Sequence, residues 1–212
     1  ILDGGIAPEA TVMSWRGVKG GIEAAKMGHD VVMTPTTFAY LDYVQGERTV
    51  DPPIYASLRL NKCYSFEPVP DGVEAKYILG GQGNLWTEQV PTLRHAQYMT
   101  YPRAWALAEV YWSPKETKSW DSFIKRVETQ FERSDIAEVN YAKAIYDPVI
   151  KTSLKDGKLT LNIETEAPGL VVHFTIDDAM PDTFTLKYTQ PVVLPEGPIT
   201  LRLRTYRDGK PI

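Results

Sequence analysis

Two short segments of the 212-residue sequence pair an aromatic ring with a carboxylate two positions on: Tyr40-Leu41-Asp42 and Trp86-Thr87-Glu88. In an extended chain that spacing puts ring and carboxylate on the same side. A third segment, Trp15-Arg16-Gly17, adds another indole. Flat rings beside hydrogen-bond acceptors suit a sugar, because rings cover its apolar faces and carboxylates accept from its hydroxyls. Taken singly, each residue has a plainer explanation. A lone Trp near a strand end belongs to a core more often than to a ligand wall, and a loop Asp or Glu is usually solvated or caps a helix. Glu88 also stands near the start of a helix opening around Pro91, where the helix dipole favours an acid. Together they are harder to explain that way, because three aromatics and two carboxylates follow three successive strands.

Those strands are legible as β-branched, apolar runs: Ala10–Trp15, His29–Thr34 and Tyr77–Gly81. Between the first two, Gly20-Gly21 opens a helical run, Ile22–Met27, that Gly28 stops as a C′ residue. Strand, short helix and strand within about 25 residues is one unit of a parallel sheet, and such sheets meet ligands at the C-terminal ends of their strands. A loop-like stretch rich in Pro, Gly and Tyr covers 35–76, a length that usually signals function. Residues 91–112 read as helical, with Pro102 at the first turn of a second helix. Ser119 is placed to cap a further helix in which Phe123, Val127 and Phe131 form one apolar stripe. Beyond Pro148 the period changes to two. Lys158–Ile163, Leu170–Ile176 and Ile199–Tyr206 read as strands of a small antiparallel domain, the last with one solvated face.

Composition removes several classes of function. Acids outnumber bases 27 to 23, for a net charge of −4, so the basic footprint expected of a nucleic-acid partner is missing. No apolar run approaches the ~18 residues of a membrane span. A single cysteine, Cys63, excludes an internal disulfide and reads as an inert thiol. His29, His95 and His173 are scattered without metal-ligand spacing, and Gly80-Gly81-Gln82-Gly83 fits no phosphate-binding loop, so neither metal nor cofactor is expected. Arg103, Trp105, Glu109 and Trp112 recur at a helical period and read as packing residues. At roughly 150 residues per domain the chain amounts to one and a half domains. Its opening on Ile1-Leu2-Asp3, without Met, reads as part of something longer. Composition and spacing by themselves reach a carbohydrate-binding α/β protein.

At these same residues the sequence resembles glycoside hydrolase family 20, the β-N-acetylhexosaminidases, and especially bacterial members. The likeness is carried by Ala10–Gly17, Gly28–Pro35, Tyr40-Leu41-Asp42, Gly80–Glu88, Tyr101-Pro102-Arg103 and Ala108-Glu109. The resemblance implies that 1–147 is the C-terminal part of a (β/α)8 barrel, about its last three strands. Phe174–Pro181, Tyr188-Thr189-x-Pro191 and Arg207–Lys210 are similar to the small β-sandwich often appended to such enzymes, implied here over 148–212. Asp178 stands where a glycine is common in that module.

By resemblance, Tyr40 donates its hydroxyl to the substrate's acetamido oxygen and belongs to the catalytic apparatus. Trp15 and Trp86 wall the sugar pocket, and Asp42 and Glu88 accept from sugar hydroxyls. In the family an Asp-Glu pair on the fourth strand does the central chemistry: its Glu protonates the leaving oxygen, and its Asp orients the 2-acetamido group, whose oxygen attacks the anomeric carbon. Asp177-Asp178 is an acid pair of this chain, but it lies in the tail. The expectation is therefore an exo-acting hydrolase of N-acetylhexosamine-containing glycans as the parent, with this stretch inactive by itself. A non-catalytic carbohydrate-binding or adhesion protein on the same scaffold is the competing expectation. A periplasmic or secreted location follows only from the resemblance, and the exposed edge of a partial barrel allows an oligomer.

Overall fold

Three short strands organise the first of two units, Ile1–Ala142. They are β1 (Val12–Ser14), β2 (Val31–Met33) and β3 (Ile78–Gly81), paired in parallel in that order. Each lies inside the run expected from sequence, the first two trimmed at both ends and the third only at its start. The computed structural model of the chain describes residues 4–46, 48, 51 and 54–212. Positions 1–3, and 47, 49, 50, 52 and 53 of the expected 35–76 loop, lie outside the described residues.

Helix α1 (Lys19–Lys26) begins earlier than expected, with Gly20 and Gly21 inside its first turn. The reason is close approach to the sheet. A Cβ on Gly21 would stand 2.9 Å from both Met33 Sδ and Ser14 Cβ. Ser14 Oγ accepts from the Gly21 amide (2.9 Å) and donates to the Gly17 carbonyl (2.8 Å), tying helix to strand. Gly28 follows the helix at φ +90°, the left-handed stop its position predicts.

The 35–76 stretch is not a featureless loop. It contains α2 (Thr36–Ala39) and α3 (Leu60–Tyr64), which buries Leu60, Cys63 and Tyr64 and packs on α5. One turn carries too little periodicity to stand out against its Pro-rich flanks. The helical run 91–112 is two helices, α4 (Leu93–Thr100) and α5 (Arg103–Trp112), with Pro102 just ahead of α5 where its missing N–H is harmless. Helix α6 (Trp120–Ile136) buries Phe123, Val127 and Phe131 as the stripe predicts, and Ile124 beside them. Ser119 occupies the N-cap position, but its side chain makes no capping bond. Trp112 is 88 % exposed at the last position of α5, beyond the buried Ala106, Leu107 and Val110, so the packing role expected for it is wrong. Gly81 lets β3 meet α5: a Cβ there would fall 2.1 Å from the Tyr111 ring.

The second unit, Lys143–Ile212, begins with a 3-10 turn whose Ile145 carbonyl accepts from the Ala167 amide. Its strands are β4 (Val149–Lys155), β5 (Lys158–Glu164), β6 (Val171–Thr175), β7 (Leu186–Lys187), β8 (Val192–Val193), β9 (Arg202–Arg207) and β10 (Lys210–Pro211). They form two antiparallel sheets, β4-β5-β8 and β10-β9-β6-β7, around Leu161, Ile163, Val172 and Leu194. The three strands read from sequence are β5, β6 and β9. Strand β4 was not anticipated, although it pairs with β5 along its whole length. The alternation expected of β9 breaks at Thr205, which is buried next to buried Tyr206. Asp178 takes φ +69°, the conformation a glycine would adopt, and its carboxylate accepts from Arg202 Nε at 2.6 Å. The turn therefore tolerates the acid.

Candidate functional site

Beyond the C-terminal ends of β1 and β2, and just past β3, a concave cavity of about 940 Å³ opens. Trp15, Tyr40, Asp42, Trp86 and Glu88 all line it. All five residues singled out from sequence thus meet at one place. Trp15 and Trp86 leave about half their surface uncovered, 46 % and 52 %, which is unusual for indoles held at strand ends. The Arg16 guanidinium lies over the Trp15 ring, 4.6 Å from its centroid. Tyr40 is buried.

The sheet continues past α2 to place these groups. Tyr40 and Asn84 form a parallel bridge, in which the Leu41 amide donates to the Asn84 carbonyl (2.6 Å) and the Asn84 amide to Ala39 (2.8 Å). Tyr40 has extended backbone angles, φ −94° and ψ 102°. Beyond Tyr40 the chain turns at Leu41-Asp42, with the Tyr43 amide donating to the Tyr40 carbonyl (3.4 Å), so ring and acid line the same cavity through a turn and not through the strand period expected from the spacing.

Asp42 is the unusual group of the site. Its Oδ1 is buried and has no hydrogen-bond partner among the described residues. Burial pushes its carboxyl above the usual carboxylate range, and the Glu88 charge adds to this. Backbone N–H groups of Asp42 and Trp86 and the Arg103 guanidinium act in the opposite direction without cancelling it. A buried acceptor without a donor costs on the order of 1–3 kcal/mol. Asp42 and Glu88 are the two carboxylate residues that line the cavity, the kind of acceptor a ligand hydroxyl needs.

A chain of phenol rings backs the cavity. The Tyr40 and Tyr43 rings lie 5.6 Å apart, and Tyr43 meets Tyr55 edge-on at 5.4 Å, with their hydroxyls 3.1 Å apart. Burial, reinforced by the Tyr55 bond, raises the Tyr43 phenol well above the ordinary tyrosine range. Behind them Asp51 accepts from the amides of Gln45 (2.8 Å) and Gly46 (3.1 Å) and from Tyr98 Oη (2.7 Å), fastening the loop.

The sequence reading missed Met13, Thr34, Ile54, Tyr55, Gln82, Asn84 and Gln89, which also line the cavity. Met13, Thr34, Gln82 and Asn84 adjoin the strand ends already under scrutiny and could have been found there. Ile54 and Tyr55 come from a long excursion with no pattern to mark them. Asp177 and Asp178 lie in the second unit, where one caps the Ala179 amide (3.2 Å) and the other pairs with Arg202. Among the described residues no group of three His, Cys, Asp or Glu could hold a metal ion, and no helix is long and apolar enough to cross a membrane.

An open cleft with two indoles, a phenol and two carboxylates at the strand ends of a parallel sheet has the chemistry that suits a polyhydroxylated ring. Comparison with known proteins agrees. Residues 1–115 match the glycosyl hydrolase family 20 catalytic domain, and residues 161–212 match the module described as Fn3 associated. The chain belongs to glycosyl hydrolase family 20. It is 37 % identical to a β-hexosaminidase of Porphyromonas gingivalis, over 99 % of this chain and 28 % of that protein. With a β-hexosaminidase of Akkermansia muciniphila it shares 34 % identity, over 57 % of this chain and 25 % of the relative. Among solved structures, a family 20 exo-β-N-acetylglucosaminidase from Vibrio harveyi in complex with N-acetylglucosamine superposes with a TM-score of 0.61 and 30 % identity. That match covers 66 % of this chain and 23 % of the other. The chain thus spans about a quarter of the length of these relatives.

Proposed function

We propose that these 212 residues are the C-terminal part of an exo-acting β-N-acetylhexosaminidase that removes terminal N-acetylhexosamine from glycans by substrate-assisted, retaining hydrolysis. On this reading 1–147 forms about the last three strands of a (β/α)8 barrel and 148–212 a small β-sandwich. The observation that carries the proposal is Asp42: a carboxylate with one buried, unpartnered oxygen, on a residue that lines a cavity walled by two half-exposed indoles. A neutral sugar gives the carboxylate a hydroxyl donor and covers the indoles with its ring faces.

The roles follow from the chemistry. Trp15 and Trp86 enclose the ring and exclude water. Asp42 and Glu88 accept from hydroxyls at the non-reducing end. Tyr40 donates to the acetamido oxygen and holds it in line with the anomeric carbon before attack, a positioning effect, because that bond weakens as the oxygen gives its lone pair to form the oxazolinium ring. By resemblance, the proton for the leaving oxygen comes from an Asp-Glu pair outside these residues. The same family reading supports a periplasmic or secreted site of action.

The test assays the full-length protein with a chromogenic β-N-acetylglucosaminide and β-N-acetylgalactosaminide, following the anomer released by NMR. Turnover with retention is expected. Binding without turnover by the folded full-length protein would establish the non-catalytic reading instead. The 212 residues by themselves are expected to be inactive; activity from them would show that the proton donor lies within this stretch.

A further inference from the structure

Asp42 is held from behind by a residue with no part in the sugar site as read from sequence. Arg103, the first residue of α5, is fully buried, and its guanidinium donates to four main-chain carbonyls. Nη1 reaches Tyr43 (2.8 Å) and Leu58 (3.0 Å), and Nη2 reaches Leu41 (2.5 Å) and Met99 (2.7 Å). Two of these four acceptors belong to the residues immediately before and after Asp42. A guanidinium presents its donors in a rigid planar fork, so it sets the direction of both flanking peptides relative to α5. The direction of the Asp42 Cα–Cβ bond is set with them.

A purely packing role is a poor explanation for a cation at this position. The remaining buried face of α5 is Ala106, Leu107 and Val110, and an apolar side chain would continue it without desolvating a charge. Arg103 forms no ion pair among the described residues, and its Nε has no partner. Burial lowers its affinity for its proton, and the charges of Asp51 and Asp42 are among those that favour keeping it. What the guanidinium adds, and a leucine would not, is fixed geometry on both sides of Asp42. We propose that Arg103 is a positioning residue of the sugar site, orienting the Leu41–Tyr43 segment so that the Asp42 carboxylate meets the substrate hydroxyl. The inference rests on the reading of Asp42 as that hydroxyl's acceptor.

The experiment is a double-variant cycle in the full-length protein: Asp42→Asn, Arg103→Lys and both together, with kcat, KM and Tm recorded for each. Lysine keeps the charge and loses the fork. Asp42→Asn is expected to lower kcat/KM about 100-fold, the scale of a lost charge-assisted hydrogen bond. Arg103→Lys is expected to lower it about 10-fold, and the double variant to match Asp42→Asn within about twofold, because the two residues act as one unit. Lowered Tm by itself does not produce that non-additivity. An unchanged kcat/KM in Asp42→Asn would overturn the reading of the site and this inference with it. A loss in Asp42→Asn that Arg103→Lys simply multiplies would leave the site standing and overturn the role of Arg103. Should Arg103→Lys fail to fold, the wild-type protein answers through the Arg103 guanidinium ¹⁵N–¹H signals. These are expected to shift on saturation with N-acetylglucosamine and to stay still in Asp42→Asn; no shift in the wild type would overturn the inference.

Discussion

Two carboxylates in the first unit sit among aromatic rings and have opposite surroundings. Glu109, in the layer of α3, α5 and α6, accepts from Tyr64 Oη at 2.8 Å and pairs with Arg126. Tyr64 in turn stacks on Phe123, with ring centroids 4.5 Å apart. Asp42, at the strand ends, has a buried oxygen with no partner and is walled by indoles left half-exposed. In the helical layer Glu109, Tyr64 and Arg126 satisfy one another. The strand ends leave theirs open toward a cavity, and unmet hydrogen-bonding capacity at a cleft is what distinguishes a binding carboxylate from a structural one. Burial acts on both places. In the helical layer it raises the Tyr64 phenol to about 12, helped by Glu109, while at the cavity it raises the Asp42 carboxyl.

This contrast can be broken at several points. Phe123→Ala should remove about 3–4 kcal/mol of stability, as truncation of a buried aromatic does, and leave kcat per folded molecule unchanged. Denaturant unfolding and active-site titration together check this. On the proposed function, Tyr40→Phe in the full-length protein should do the reverse, lowering kcat about 100-fold with little change in KM or Tm, the effect of losing the group that aims the acetamido nucleophile. An unchanged kcat would remove Tyr40 from the mechanism.

Glu109→Ala should cost about 1–2 kcal/mol by leaving the Tyr64 hydroxyl short of its acceptor. It should also bring the Tyr64 ionisation back from about 12 toward 10, read as absorbance at 295 nm. Since that folded-state value lies above the unfolded one, the stability linked to Tyr64 is complete below pH 10 and lost as pH rises toward about 12. The smallest effect on the stability of the ligand-free protein is expected at Asp42. Asp42→Asn should stabilise the ligand-free protein at pH 7 by up to about 1 kcal/mol, since it removes a desolvated charge. The carboxyl is raised in the folded state, so the strain appears as pH climbs through its folded value. The gain should therefore vanish below the ordinary value of 3.8, where the wild-type group is neutral in both states. Melting curves at pH 3 and pH 7 decide it.

Much of the site could be read from the sequence because the residue types gather just past the strand ends. Tyr40 and Asp42 line one cavity although they lie in no regular strand: Tyr40 is bridged to Asn84, and the chain then turns at Leu41-Asp42, with the Tyr43 amide donating to the Tyr40 carbonyl (3.4 Å). Tyr55 could not be read, since it reaches the cavity by way of its bond to Tyr43 and no local pattern encodes that contact. Arg103 was recognisable as a buried helical residue, but the identity of its acceptors, scattered over Leu41, Tyr43, Leu58 and Met99, is a tertiary fact. The early start of α1 escaped for a related reason. Glycine usually interrupts helices, and only the contact of Gly21 with Ser14 and Met33 explains why it belongs inside one.

The sequence by itself determined the kinds of element, the change of period near Pro148, and five residues whose chemistry suits a sugar, because those follow from local spacing and side-chain type. The tertiary structure decided which polar groups are satisfied. Glu109 and Asp42 are both acids within reach of aromatic neighbours, and only packing gives one a hydroxyl and an arginine while leaving the other an empty lone pair. Hydrogen-bond satisfaction depends on where remote segments meet, and no local pattern carries that information.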